Sequence, residues 1–464
     1  MLTELRIRNF KAWKDTGPVR LAPLTVIFGT NGAGKSSLGH LLLALRQTVL
    51  LTDRRRALYL GDPDSLVDLG SFTDCLHGHD LRVRLEVTLG WRLPEPVALH
   101  DPLAPERGWR GDAMRLESVI GADEHGQPRT QSFRYELLQG GEPTLRTWHG
   151  QDEQGRPVLG AAPLDLVPNQ GPARPIGPPE KFYRFADASL ANYRNAGILT
   201  EFPLRLEELL VGLSHVGPLR EPPKRTYSWA GDDVPDVGQR GERAIAALLS
   251  ARQAGRRFSR GPGEGLRDFD VFIAEWLRDL GLIESFEVVP IAPGRREYEV
   301  RVRTGKSSPE VRLGDVGFGV SQVLPALVQA FHARPGTTVW MEQPEAHLHP
   351  RVQAALADAF LCAVRGSENG SPRNIQLVVE SHSEAFLMRL QRRIAEGEVA
   401  AREVAVYFVR PTASGADLEA LRLDAYGEIE NWPEDFFGDD MLEIMARTQA
   451  ALRRRTATRG EPRG

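Results

Sequence analysis

The sequence is poor in cysteine, in long apolar runs and in net charge of either sign, and each shortage removes a class of protein. Two cysteines, Cys75 and Cys362, cannot build a disulfide framework or a cysteine zinc site, and they fit a reducing, cytoplasmic setting. No apolar stretch approaches the roughly 18 residues that span a bilayer, so no membrane role is expected. The opening MLTELRIRNF is charged every few residues, unlike the apolar centre of a signal peptide. A formal net charge of -4 gives no global attraction to nucleic acid, so such binding has to come from local patches. Internal repeats and coiled-coil heptads are missing too. What remains is a chain of 464 residues, 41% of them hydrophobic, enough for a large core divided over two or three lobes.

Hydrophobic periodicity orders the chain. MLTELRIRNFKAW predicts a strand, residues 21–28 a second, and residues 35–51 a helix whose Leu38, Leu41, Leu42, Leu45 and Val49 share one face. Over residues 81–91, and again in SFRYELLQ and TLRTW, apolar and polar residues alternate, the mark of a β-rich lobe. Gly and Pro crowd residues 150–180, which predicts a long surface loop. Helices are expected over 201–213, 241–254 and 268–280, and strands near 284–291 and 296–303. Helix 320–332, strand 337–342, helix 350–364, strand 374–380, helix 383–395 and strand 403–409 then alternate. That order predicts an α/β fold with a mainly parallel sheet flanked by helices. The expected division is an N-terminal lobe with a β-rich insertion (1–215), a helical linker region (216–282), a C-terminal lobe (283–430) and a tail (431–464).

The strongest chemical motif is GTNGAGKSS, comprising Gly29, Thr30, Asn31, Gly32, Ala33, Gly34, Lys35, Ser36 and Ser37. It satisfies G-x-x-x-x-G-K-[ST] and lies between an apolar strand and an amphipathic helix. The glycines let successive backbone N–H groups turn toward phosphate oxygens at the positive end of the helix. Lys35 would reach the β and γ phosphates of ATP, the Ser36 hydroxyl would ligate Mg²⁺, and Ser37 could add a phosphate hydrogen bond. Such a loop requires a distant acid at the end of an apolar strand to hold the metal's water shell. In TTVWMEQPEAHLHP that acid is Glu342, followed by a glutamine, Gln343.

LRIRNFKAW and LTVIFGTNGAGKSS near the start, with MEQPEAHLHP and VVESHSEAFLMRL near the end, resemble in order and spacing the ABC-type ATPase heads of the RecF, SMC and OLD (overcoming-lysogenization-defect) class. The resemblance covers about residues 1–50 and 310–400. It implies a P-loop NTPase fold with a mixed or parallel core sheet and an antiparallel β-rich lobe. It places Glu342 as the metal-supporting acid and Gln343 where many relatives have the glutamate that polarises water. His382 falls at the switch histidine that hydrogen-bonds the γ-phosphate. DVGFGVSQVLP falls at the signature segment, with Gly317, Gly319, Ser321 and Gln322 capping ATP held by an opposite subunit. Its wording departs from the usual Ser-Gly-Gly-Gln. The metal-sensing glutamine stays unassigned among Gln139, Gln151 and Gln154.

A neutral amide cannot accept a proton, although its carbonyl can orient water. Gln343 therefore points to a slow ATPase with a long-lived ATP state, with Glu345 a second candidate to assist. His347 and His349 beside Glu342 and Glu345 can be read as a metal cluster, but H-x-H at a helix start has no fourth ligand, and His349-Pro350 reads as a turn into the next helix. Arg54 to Arg56, Arg256 with Arg257 and Arg260, and Arg392 with Arg393 are either solvated faces or a DNA-binding surface. HVGPLREPPKRTYSW, with Arg220, Lys224 and Arg225, either reaches toward a nucleotide or partner or is a plain surface loop. LDAYGEIENWPEDFFGDDM either docks on its own head or binds a partner.

Too few residues follow His382 for the nuclease domain of OLD proteins, and no long coiled coil separates the lobes as in SMC proteins. The resemblance then implies a stand-alone head: a homodimer or assembly of dimers around ATP and Mg²⁺. It would control a separately encoded effector, a nuclease or toxin, in bacterial antiviral defence or DNA maintenance. The alternative is a scaffold or DNA-binding module that holds ATP without turning it over.

Overall fold

A computed structural model describes residues 1–151, 154–170, 175–261 and 263–433. Along the chain run β1 (Leu2–Phe10), β2 (Leu24–Gly29), α1 (Lys35–Leu50), β3 (Leu85–Asp101), β4 (Ala104–Ala122), β5 (Pro128–Gln139), β6 (Glu142–Gln151) and β7 (Pro157–Ala162). After these come α2 (Glu201–Val211), β8 (Ser214–Val216), α3 (Ala244–Gln253), α4 (Phe269–Asp279), β9 (Ser285–Pro290), β10 (Glu297–Arg303) and α5 (Phe318–His332). The last elements are β11 (Thr338–Glu342), α6 (Pro350–Arg365), β12 (Gln376–Glu380), α7 (Glu384–Ala395), β13 (Val404–Thr412) and β14 (Gly415–Leu421).

The six-stranded sheet that carries the chemistry has the order β8-β11-β12-β2-β13-β14. Its first five strands are parallel, and β14 closes one edge as the antiparallel partner of β13. These strands are short and buried on both faces, as expected where helices cover a parallel sheet. Because successive side chains point to opposite faces, each strand feeds two cores. Val339, Met341, Leu377 and Val379 join the core built with α3 to α7, whereas Trp340 and Val378 join the core under α1, α2 and the β-rich lobe. At Gly39 of α1 an added Cβ would meet the Trp340 indole nitrogen at 2.5 Å, so the helix sits directly on that ring.

The β-rich lobe is an antiparallel meander in the order β1-β3-β4-β5-β6-β7, with two short strands beside β1. Residues 157–162, placed by composition inside a Gly/Pro-rich loop, form its last strand: Leu159 is buried opposite His149, and an edge position tolerates Pro157. The alternating run expected over 81–91 becomes the longer strand β3, Leu85–Asp101, and the predicted helices and the strands after residue 200 recur within a few residues of their expected ends. Residues 434–464, most of the expected tail, lie outside the described residues. Among the described residues no helix is long and apolar enough to cross a membrane.

Candidate functional site

The carboxyl ends of β2, β11 and β12 converge, and the loop 29–34 leaves β2 to enter α1. Gly29 approaches β13 so closely that a Cβ would lie 2.5 Å from the Val409 carbonyl oxygen. Gly34, at φ 104, is the N-cap of α1 in a left-handed conformation that L side chains rarely adopt. It provides no side-chain cap, and no acid stands in the first turn, the setting in which the leading N–H groups of a helix suit an anion. Thr30, Asn31 and Gly32 are exposed along the loop, while Ala33 is buried beneath it.

Lys35 folds back over this loop, its ammonium donating to the carbonyls of Gly29 (2.8 Å) and Thr30 (2.9 Å). Burial lowers its pKa, against the pull of Glu380, Glu345 and Glu342. Ser37, expected as an extra phosphate donor, is buried; its hydroxyl donates to the Gly34 carbonyl and accepts from the Trp13 indole at 2.8 Å. It ties the loop to β-lobe packing.

Three carboxyl groups line the opposite side. Glu342 is buried at the end of β11 and accepts from His215 Nε2 at 2.8 Å, with His40 Nε2 at 3.5 Å. Burial opposes its ionisation, but the two histidines outweigh this and hold its pKa low. Glu380 ends the neighbouring strand β12 in register with Glu342 and is 1% exposed. Its Oε2 accepts the Ser36 hydroxyl at 2.6 Å and its Oε1 the Trp340 indole N–H at 2.7 Å. Burial first, then the adjacent Glu342, pushes the Glu380 pKa up.

Glu345 Oε1 accepts from the Ser381 hydroxyl and the His382 backbone N–H, both at 2.8 Å, so Glu345 joins the turn after β11 to the turn after β12. Its Oε2 is buried with no hydrogen-bond partner among the described residues, and burial raises its pKa. His382 stands exposed at the mouth; partial burial and then the Lys35 charge keep its pKa low. Gln343 opens the turn after β11 at φ 44, its N–H held by the Glu380 carbonyl at 2.8 Å.

Arg220, from the Pro-rich stretch after β8, is buried behind this wall and places Nη2 3.5 Å from the Glu342 carbonyl. Its Nε and Nη1 have no hydrogen-bond partner among the described residues, and burial lowers its pKa to about 10 against the attraction of Glu342 and Glu345.

The signature segment opens α5. Gly317 is exposed at the N-cap of α5 and Gly319 half-buried, but Ser321 and Gln322 are 7% and 6% exposed and face their own chain. His347 and His349 are exposed in the turn, His349 capping α6 through the Arg351 N–H, and the described residues contain no cluster of His, Cys, Asp and Glu able to hold a metal unaided. Most arginines of the proposed DNA surface are already paired: Arg54 with Asp187, Arg256 with Glu368, Arg257 with Asp268, Arg260 with Asp279, Arg392 with Glu396 and Arg393 with Asp358.

Glu380, Trp340, His215 and His40 were not anticipated as site residues. For Glu380 a signal existed: QLVVE, like TVWME, is a short apolar strand ending in glutamate. The histidines had none, since they come from α1 and from a three-residue strand.

Residues 213–389 match the family model described as "AAA domain, putative AbiEii toxin, Type IV TA system", and residues 399–446 match one described as a protein of unknown function, DUF3696. The first stretch holds Arg220, Glu342, Gln343, Glu345, Glu380 and His382; the phosphate loop lies outside it. No curated protein matches the chain. Among solved structures the chain is similar to an SMC head bound to the C-winged helix domain of ScpA, at 13% identity over 91% of this chain and 98% of that one, TM-score 0.41. It is also similar to the SMC head domain from Thermotoga maritima (10%, 91% and 99%, TM-score 0.40). A third is the Smc head with an extended coiled coil bound to the C-terminal domain of ScpA derived from Pyrococcus furiosus (12%, 91% and 96%, TM-score 0.39).

Proposed function

We propose, from the premise that this chain carries an ABC-type AAA ATPase head, that it binds ATP with Mg²⁺, associates around it and hydrolyses it slowly to control a separate effector. The observation that supports this best is the meeting of Lys35, Ser36 and three buried carboxyl groups at the end of one parallel sheet. The uncapped start of α1 and the Lys35 ammonium suit a polyphosphate. The donors near Ser36 are hard oxygens, which suits Mg²⁺ held by one or two carboxylates together with substrate phosphates. When bound, that ion neutralises charge developing on the phosphate oxygens.

The residues then divide the work. Lys35 and the loop N–H groups hold phosphate, and Ser36 with Glu342 holds the metal and its water. His382, at the mouth, would hydrogen-bond the terminal phosphate, and Glu345 fixes its turn. Gln343 orients the attacking water through its carbonyl; having no base, it keeps turnover slow. Gly317 and Gly319, at the start of α5, are the side offered to ATP on a second copy. The matching family is itself described as a putative AbiEii toxin of a type IV toxin–antitoxin system, which supports a toxin–antitoxin setting for this chain and leaves the separate effector as our proposal. The neutral Gln343 also supports a second reading, in which ATP drives assembly without turnover.

Phosphate release and light scattering with Mg²⁺ and ATP, beside a Lys35→Ala control, test the proposal. We expect slow release and an ATP-dependent rise in mass, both lost in the control. Equal behaviour of the two chains overturns it, and mass change without release selects the second reading.

A further inference from the structure

We propose that Glu380 is a second acid of the metal site, orienting the Ser36 hydroxyl and giving a carboxylate oxygen to the hydrated Mg²⁺ ion. The inference rests on the nucleotide reading above. Among the described residues the Ser36 hydroxyl is bonded to Glu380, not to Glu342, the acid that the strand-end motif points to. The topology explains this. β12 lies between β11 and β2, so the end of β12 is beside the phosphate loop while Glu342 is one strand further out. Glu342 is meanwhile engaged by His215 and His40.

Glu380 is also held for the task. The Trp340 indole fixes Oε1 and is itself pinned by α1 at Gly39, leaving Oε2 directed at Ser36. Two carboxyl groups side by side in a buried place are costly without a cation to share. Ser36, Glu380 and Glu342 together form an oxygen-only donor set that is too sparse to bind an ion alone, as expected where nucleotide phosphates complete the shell. The chain that has an amide at 343 thus has an additional acid at 380, placed on the metal rather than on the water.

Glu380 acts through Ser36 and the ion, so it is a positioning residue, and its test reads metal dependence instead of turnover. The fluorescent analogue mant-ADP is titrated into the full chain in EDTA and in Mg²⁺, and Mn²⁺ bound to the mant-ADP complex is measured by electron paramagnetic resonance. In Glu380→Gln the EDTA affinity should stay within about twofold, while Mn²⁺ affinity falls by about 10-fold or more. Ser36→Ala should give a similar loss, and the double variant less than the product of the two, because the groups act together. Trp340→Phe, which keeps the acid but frees it, should give a smaller shift and serves if Glu380→Gln fails to fold. Unchanged Mn²⁺ affinity in both Glu380→Gln and Trp340→Phe overturns the proposal, as does equal weakening with and without metal. A parent chain that does not bind mant-ADP at all overturns the nucleotide reading, and this assignment with it.

Discussion

At the amino-terminal end of the six-stranded sheet, Arg373 is 1% exposed and donates to the carbonyls of Ala330, Phe331, Ala333 and Ala363 while meeting Glu368. Gln376 beside it donates to Leu2 and Ala22 and accepts from the Thr338 hydroxyl. At the carboxyl end of the same strands, Arg220 keeps two buried nitrogens without hydrogen-bond partners among the described residues, and Glu345 Oε2 and His215 Nδ1 have none there either. A buried donor or acceptor left unpaired costs about 1–3 kcal/mol, so chains rarely retain several together. The satisfied end is a clasp that seals helix termini. The open end keeps polar capacity that the proposed nucleotide would use.

That contrast can be broken from the satisfied end first. Arg373→Met leaves four carbonyls and part of Glu368 unanswered and should destabilise the fold by about 3–5 kcal/mol. Chemical denaturation reads this as a lower midpoint, and an unshifted midpoint contradicts the clasp. At the open end, Gln343→Glu adds the base that position lacks and should raise steady-state phosphate release about 100-fold. No change would transfer the role to Glu345, with Glu345→Gln the damaging substitution. Loss of activity would mean that the amide itself donates to phosphate or a partner. The sharpest contrast is Arg220→Met. Removing a buried cation with open valences should leave the denaturation midpoint unchanged or higher, while ATP affinity falls about tenfold, the equivalent of roughly 1.4 kcal/mol. If it instead unfolds the chain as Arg373→Met does, the two ends are alike and the reserve at the open end is not for ligand.

The phosphate loop was legible because its chemistry is local: strand, glycines, Lys35, Ser36 and helix follow one another within a few turns of chain. The strand alternation from β11 to β13 was legible for the same reason, since burial on both faces leaves short apolar runs between helices with one apolar stripe. That Ser321 and Gln322 are buried in the chain was not legible, because a helix start and a buried helix face can lie a single turn apart. Strand β7 was hidden by composition, since an edge strand tolerates the Pro and Gly that elsewhere announce a loop.

By itself the sequence determined the α/β class, the phosphate loop, the strand-end acid Glu342 and the amide that follows it. Only the tertiary structure decided which acid meets Ser36. Strand order is a long-range property, set by how both faces of the sheet are buried, and it places β12, remote in sequence from the loop, next to β2. Glu380, His215 and Arg220 become one cluster with Lys35 because parallel strands joined by helices end on the same side, bringing together side chains that no local pattern relates.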